Sequence, residues 1–197
     1  MPSRIDAQLA FLTEADKLKS VLRATTLCDG SRPENTGEHS WHVALYALVM
    51  AEHAKRPLQI DRVIRMLLIH DLVEIDAGDV PVHSAKAQDT AAQAAKEQAA
   101  ADRIFGLLPP DQAATFRALW DEFEAAETDD AIFAKSIDRV QPVISNLETG
   151  GRSWVDYNVT LTQLENRVGA KVSKGAPAIW SALSTRISAW FAQHVVK

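Results

Sequence analysis

An imidazole and a carboxylate stand side by side at His70-Asp71, in the otherwise largely apolar run Met66-Leu67-Leu68-Ile69-His70-Asp71-Leu72-Val73. A carboxylate taken out of water needs a cation, a base or a proton. Adjacent His and Asp at the end of one helix can both serve one metal ion. Two more donors of the same kind occur elsewhere, His39 in Glu38-His39-Ser40-Trp41 and Asp138 in Ser136-Ile137-Asp138-Arg139. The set His39, His70, Asp71 and Asp138 offers nitrogen and oxygen without thiolate, which suits Mn, Co, Fe, Ni or Zn and suits Ca poorly. Four protein ligands leave positions on a six-coordinate ion open to water and substrate. For zinc, binding lowers the pKa of water from about 15.7 to about 7, roughly 12 kcal/mol of help in forming hydroxide.

Further groups could work beside such an ion. Glu74 lies four residues after His70, on the same helix face, where a carboxylate can act as a general acid or base without ligating the metal. Asp76 and Asp79 add carboxylates nearby, and Asp79 is favoured because its loop, Gly78 to His83, can face a substrate. Arg23 and Arg32 bracket the loop before His39, and guanidinium forks match phosphate oxygens. The remaining candidates have plainer readings. A His-Asp dipeptide alone is commonplace. His42 and His53 read as helix-face residues, His83 as a solvated loop residue, and Arg62 and Arg65 as polar-face residues. Trp120 and Trp154 read as core, and Arg139 as the partner of a carboxylate such as Glu74 or Asp71. Cys28 is the only cysteine, so no intrachain disulfide can form, and nothing around it supports a nucleophilic role.

Helices must position these residues. Trp41, Ala44, Leu45, Leu48 and Val49 recur with helical period, as do Ile60, Val63, Ile64, Leu67 and Leu68. His39 then opens one helix and His70-Asp71 closes the next, so antiparallel packing brings those ends together. The Ala-rich stretch from Ala85 to Phe105 favours helix and Pro109-Pro110 stops it. Further helices are predicted near Asp111–Ala126, Asp129–Leu147, Val155–Val168 and Pro177–Val195, with Thr128 as an N-cap and breaks at Gly150-Gly151 and Gly175. No alternating run is long enough to predict a strand. Asp29 to Gly37 is rich in turn residues.

Composition narrows the function classes. Hydrophobic residues make up 47% of 197, ordinary for a globular chain, and the net charge of −5 gives no overall basic signal for nucleic acid. No segment approaches a membrane span and no secretory apolar run opens the chain, so a soluble, cytoplasmic protein is expected.

Taken in order, Arg32-x-Glu34-Asn35-x-x-Glu38-His39-Ser40-Trp41, then Ile69-His70-Asp71-Leu72-x-Glu74-Ile75-x-x-Gly78-Asp79, then Asp138, resemble the HD-domain phosphohydrolase superfamily. Within it the chain is most similar to the small bacterial HD-domain 5′-deoxynucleotidases, from about Leu18 to the Trp180 region. The resemblance implies an all-α fold, a single HD-type helical domain over 1–197 of about seven to eight helices. Its metal-site core would span about 18–148, with C-terminal helices 152–197 packed on it. It implies one divalent metal ion per chain, Mn, Co, Mg, Zn or Fe, held by His39, His70, Asp71 and Asp138. It implies hydrolysis of (deoxy)nucleoside 5′-monophosphates to nucleoside and phosphate, with Glu74 as catalytic carboxylate and Asp79 as a second active-site acid. Arg23 matches a phosphate-binding arginine; Ala24 follows it, where some members carry Trp. Substrate contacts are expected from Arg23, Arg32, Glu74 and Asp79. The partner is a small-molecule nucleotide, not nucleic acid or membrane, and members are commonly homodimers. Rival readings are a triphosphohydrolase or cyclic-nucleotide phosphodiesterase on the same scaffold, or a non-catalytic metal- or nucleotide-binding protein. Two-metal types need extra histidines between the His-Asp pair and the last Asp, where only His83 is available.

Overall fold

The computed structural model describes residues 3–84 and 90–194. The chain begins with α1 (Arg4–Ala15), a helix the hydrophobic pattern did not signal; Ser3 and Asp6 cap it reciprocally. A 3₁₀ turn over Asp16–Ser20 leads into β1 (Leu22–Thr26), which pairs antiparallel with β2 (Pro33–Asn35) across an irregular register. This ribbon corrects the expectation of no strand. Its strands are too short, and too polar in Arg23, Thr25, Thr26 and Glu34, to show alternation. The turn between them is set by Asp29, whose Oδ1 accepts the Ser31 N–H at 2.9 Å.

Helix α2 (Thr36–Met50) starts earlier than its apolar period indicated, because Asn35 caps it: Asn35 Oδ1 accepts the Glu38 N–H and Glu38 Oε2 accepts the Asn35 N–H. Its apolar stripe is not its buried face. Val43, Ala44 and Ala47 are buried, whereas Trp41, Leu45, Leu48 and Val49 face outward. Helices α3 (Ile60–Ile69), α4 (Glu74–Ala77), α5 (Thr90–Phe105, the described part of the Ala-rich stretch) and α6 (Pro110–Ala125) follow. Residues 85–89 of that expected helix, and Val195 of the last one, lie outside the described residues. Helix α7 (Asp129–Glu148), capped by Thr128, is the central post and contacts α2, α3, α6, β1 and the C-terminal helices.

The helix expected over Val155–Val168 is broken. Helix α8 (Arg152–Asp156) ends before Asn158, whose φ is +49°, and Thr160 caps a new start at α9 (Leu161–Leu164). A π-helical turn, Glu165–Gly169, runs on into α10 (Ala170–Gly175), and Pro177 opens α11 (Pro177–Gln193). These short elements, with α1 and α4, carry the chain beyond seven or eight helices. The predominantly helical architecture is as expected. Gly175 permits α10 to lie against α7: a Cβ there would come within 2.8 Å of Ile132 O.

Trp154 and Trp120 are buried, as expected of core residues. Trp154 packs edge-on to Trp190, and Gly151 lies directly under that ring. Gly151 has φ of +78°, and an added Cβ would sit 2.0 Å from Trp190 Cζ2. Gly151→Ala should therefore lower stability by about 2–4 kcal/mol, adding left-handed strain to overpacking. Urea unfolding reads this directly; an unchanged midpoint and slope would show that the Trp190 ring moves freely aside.

Candidate metal centre and cavity

Three local structures bring the candidate donors together. The Asn35 cap places His39 in the first turn of α2, fully buried. Helix α3 stops at Ile69, and His70 is its C-cap, with its carbonyl accepting the Trp120 indole N–H at 3.0 Å. Asp71 follows in the turn that leads to α4. The third contribution, Asp138, projects from the middle of α7.

The geometry fits one cation. Ligand atoms of His39, His70 and Asp138 all lie within 4.8 Å of one another. Asp71 joins them, with Oδ1 3.1 Å from His70 Nε2 and Oδ2 3.8 Å from His39 Nε2. Both imidazoles are oriented through Nδ1, which leaves Nε2 aimed at the carboxylates. His39 Nδ1 donates to Gln141 Oε1 at 3.1 Å, and His70 Nδ1 donates to Leu67 O at 2.8 Å. Such contacts fix tautomer and ring direction in metal sites. His70 Nε2 is buried with no hydrogen-bond partner among the described residues, an orphan that a cation would satisfy. The residues present therefore fit the divalent ion that the resemblance implies.

Arg23, held on β1 and largely buried, forms the hub of the surrounding acids. Its Nη1 lies 3.1 Å from Asp71, 3.5 Å from Asp79 and 3.8 Å from Glu74, while Nε lies 3.8 Å from Glu34. Burial disfavours its charge, but Asp71, Asp79 and Glu74 outweigh burial and raise its pKa. Burial raises Glu74 well above the usual carboxylate range, and Asp71 adds to that. Asp79 is raised by burial too, against the pull of Arg23. The opposite holds for Asp71: despite burial, His70 and Arg23 hold its pKa down to about 2. His70 itself resists burial and is raised to about 10 by Asp71 and Asp138.

Arg23, Glu74 and Asp79 thus gather beside the four donors, as expected. Arg32 does not. From the turn before β2 its guanidinium reaches the surface and grips Glu38, with Nη1 2.9 Å from Oε2. Arg139 was expected to pair with Glu74 or Asp71; its nearest acid is instead Asp138, 3.6 Å from Nε. His42 and His53 stand apart from the cluster. His83 is not simply solvated: it lines the cavity half-buried, and burial, with Arg167 and Arg139, depresses its pKa to about 4. Three contributors were assigned no role from the sequence, although Glu34 stands in the motif before His39. Glu34 is buried against His39, Gln141 bridges His39 and Glu34, and Thr36 donates to Glu74 Oε2 at 3.0 Å. Gln141 lies one turn beyond Asp138 on α7, the spacing that could have revealed it.

A cavity of about 910 Å³ opens over this centre, lined by the acidic cluster on one side and by α7, the π turn and α10 on the other. That is at the upper end of the roughly 300–1,000 Å³ usual for small-molecule sites.

The chain is similar to several known proteins. A family model described as "HD domain" matches residues 15–180. The 5′-deoxynucleotidase of Xenopus laevis is 31% identical over 141 residues, covering 71% of this chain and 68% of that protein. A 5′-deoxynucleotidase of Enterobacter sp. (strain 638) is 25% identical, covering 85% and 86%. The crystal structure of a predicted metal-dependent phosphohydrolase from Magnetospirillum magnetotacticum superposes with a TM-score of 0.90 at 46% identity, covering 96% of this chain and 94% of that one.

The raised pKa of His70 sets a testable pH dependence. A proton bound more tightly in the folded state stabilises it below the unfolded pKa, about 6.5, and that stability is lost as pH rises through the folded value. In EDTA the thermal midpoint should fall between pH 6.5 and about 10. Saturating Mn should flatten this fall, because a ligating His70 carries no extra proton in either limb. A flat profile without metal would mean that His70 is not held protonated by Asp71 and Asp138.

Proposed function

The chain belongs to the HD-domain family, and from that premise we propose that it is a divalent-metal-dependent phosphomonoesterase acting on (deoxy)nucleoside 5′-monophosphates. The observation that carries the reading is the grouping of Arg23, Glu74 and Asp79 in one cavity beside four nitrogen and oxygen donors. A structural metal site needs no such spare acids. The relatives named 5′-deoxynucleotidase support the substrate class.

In this reading His39, His70, Asp71 and Asp138 hold one ion. That ion, when bound, supplies Lewis acidity to water and offsets charge on the phosphoryl oxygens. Arg23 binds the phosphate through its guanidinium fork, exchanging carboxylate contacts for phosphate oxygens. Asp79, in the loop after α4, faces the same group and positions Arg23. Hydrolysis forms a bond from water oxygen to phosphorus and breaks the P–O5′ bond. Glu74 sits where it can give a proton to O5′ and recover one from the attacking water, with Thr36 fixing its carboxyl.

The test is phosphate release from the deoxynucleoside monophosphates, AMP, dATP and cyclic AMP. Metal-stripped protein would be resupplied separately with Mn, Co, Mg, Zn or Fe. Release from monophosphates should predominate, and Glu74→Gln should lower kcat by about 10²–10⁴-fold at unchanged metal content. Full turnover by that variant would remove Glu74 from the proton transfer. Inorganic triphosphate from dATP would replace the monoesterase reading with a triphosphohydrolase.

We also propose a homodimer that uses the outward face of α2. Trp41, Leu48 and Val49 are 61%, 55% and 64% exposed there, and an unpartnered apolar stripe of this kind marks an interaction surface. Sedimentation should give twice the chain mass, and Leu48→Glu should shift it to one. A monomeric wild-type protein would sink the proposal. No helix among the described residues is long and apolar enough to cross a membrane. With one cysteine in the chain, a cytoplasmic setting is proposed.

A further inference from the structure

The cavity carries cations besides Arg23, which the phosphate of a nucleoside monophosphate does not use. On the acidic side Arg23 is the cation among Asp71, Glu74 and Asp79. The rest of the wall carries Lys135, Arg139, Arg167 and Lys171, together with the carboxylates Glu97 and Glu124. Lys135 and Arg139 are one turn apart on the same face of α7, and Lys171 comes from α10, which packs against α7.

These cations are unequally engaged. Lys135 pairs with Glu124 at 2.8 Å and lies over the Phe123 ring. Arg167 spends one N–H on Val82 O at 2.8 Å, which leaves most of its five donors free. Among the described residues Arg139 has one ion-pair partner, Asp138 at 3.6 Å, and its buried Nε has no hydrogen-bond partner. Lys171 has no ion pair among the described residues. Arg139, burial and Lys135 depress the pKa of Lys171 against the opposing pull of Asp138 and Glu124, and burial, Arg167 and Arg139 act on His83 in the same direction. His83 adds a buried Nδ1 with no hydrogen-bond partner among the described residues. Like charges brought together on a cavity wall repel, and an anion from solution would relieve that repulsion. The nucleoside half of a 5′-monophosphate carries no anion to do so.

We infer that Arg139, Lys171 and Arg167, with His83, form a second anion subsite, and that the preferred substrate carries a second phosphoryl group besides the one cleaved. This rests on the phosphomonoesterase reading for the cleaved group. The second group stands on the sugar, as in a nucleoside 3′,5′-bisphosphate, which keeps the 5′-monoester for cleavage. A preference for a nucleoside 5′-diphosphate would instead place the second group in the chain and make the cleaved bond an anhydride rather than P–O5′. The cavity, about 910 Å³, has room for the bisphosphate.

The experiment is calorimetric titration of the metal-loaded Glu74→Gln protein with deoxyadenosine 5′-monophosphate, 3′,5′-bisphosphate and 5′-diphosphate. It would be repeated with Arg139→Gln plus Lys171→Gln added, and with Lys171→Gln alone, an exposed change that does not threaten folding. Phosphate release by the wild type is measured in parallel. The bisphosphate should bind tenfold or more tighter than the monophosphate, and tighter than the diphosphate. That preference should shrink severalfold in the Lys171 variant, vanish in the double variant, and weaken with added salt. Equal affinity for all three ligands would overturn the subsite even if the monophosphate is hydrolysed. So would a preference that survives the double variant. A charge-dependent preference without phosphate release from any ligand would keep the subsite and overturn the phosphomonoesterase reading instead.

Discussion

A carboxylate withdrawn from water costs several kcal/mol unless a cation or hydrogen bonds replace its hydration, and this fold withdraws five around one point. Glu34, Asp71, Glu74, Asp79 and Asp138 are all at least largely buried there, with Arg23 as the permanent cation among them. Arg23 neutralises only part of that charge. The remainder is met by protons, on His70 and on the raised carboxyl groups, or by a divalent ion with four donors already oriented toward it. The ribbon β1–β2 follows from the same constraint. A strand holds a guanidinium at a fixed depth, and its partner strand supplies Glu34, so the hub is anchored by backbone pairing rather than by a loop.

Orientation of the imidazoles is the second consequence. Gln141 Nε2 donates to Glu34 Oε1 at 2.9 Å and its Oε1 accepts from His39, so one side chain on α7 fixes both. The end of α3 does the same for His70 through Leu67 O. Because Trp120 donates to the His70 carbonyl, the helix end is satisfied and held in the core. The convergence of these candidate donors is thus set by where helices begin and stop. A one-residue shift in either boundary would rotate a ligand about 100° around its helix, away from the shared point.

The candidate donors stood out in the sequence through the ordered set of His39, His70-Asp71 and Asp138, since a His-Asp dipeptide alone is commonplace. Helices were legible from period and caps, as with Thr128 and α7. Which face of α2 is buried was not, because the core side consists of His39, Ser40, Val43, Ala44 and Ala47, and the larger apolar residues lie outside. Short strands give no period, so the ribbon was missed, and with it the contrast between Arg23, turned inward, and Arg32, turned to Glu38. Arg23 lies within β1, where the pleat fixes the direction of its side chain, whereas Arg32 lies in the turn before β2. Glu34 and Thr36 were hidden for the same reason, since their importance lies in a pairing across sequence-distant elements.

The broken helix after α8 shows why irregularity belongs to the site. One continuous helix over 155–168 would place Arg167 in register with its neighbours by regular 3.6-residue steps. The left-handed Asn158, the Thr160 cap and the π turn at Glu165–Gly169 change that phase. Arg167 then reaches Val82 O in the loop that carries Asp79, tying the C-terminal helices to the acidic half of the cavity. Gly169 is needed at this place because the Trp180 ring lies 2.3 Å from where its Cβ would stand. A π turn lengthens the backbone loop by one residue per hydrogen bond and is tolerated where packing holds it. Here Trp180 is that packing, and the gain is that Arg167 stands in the cavity wall beside the loop carrying Asp79.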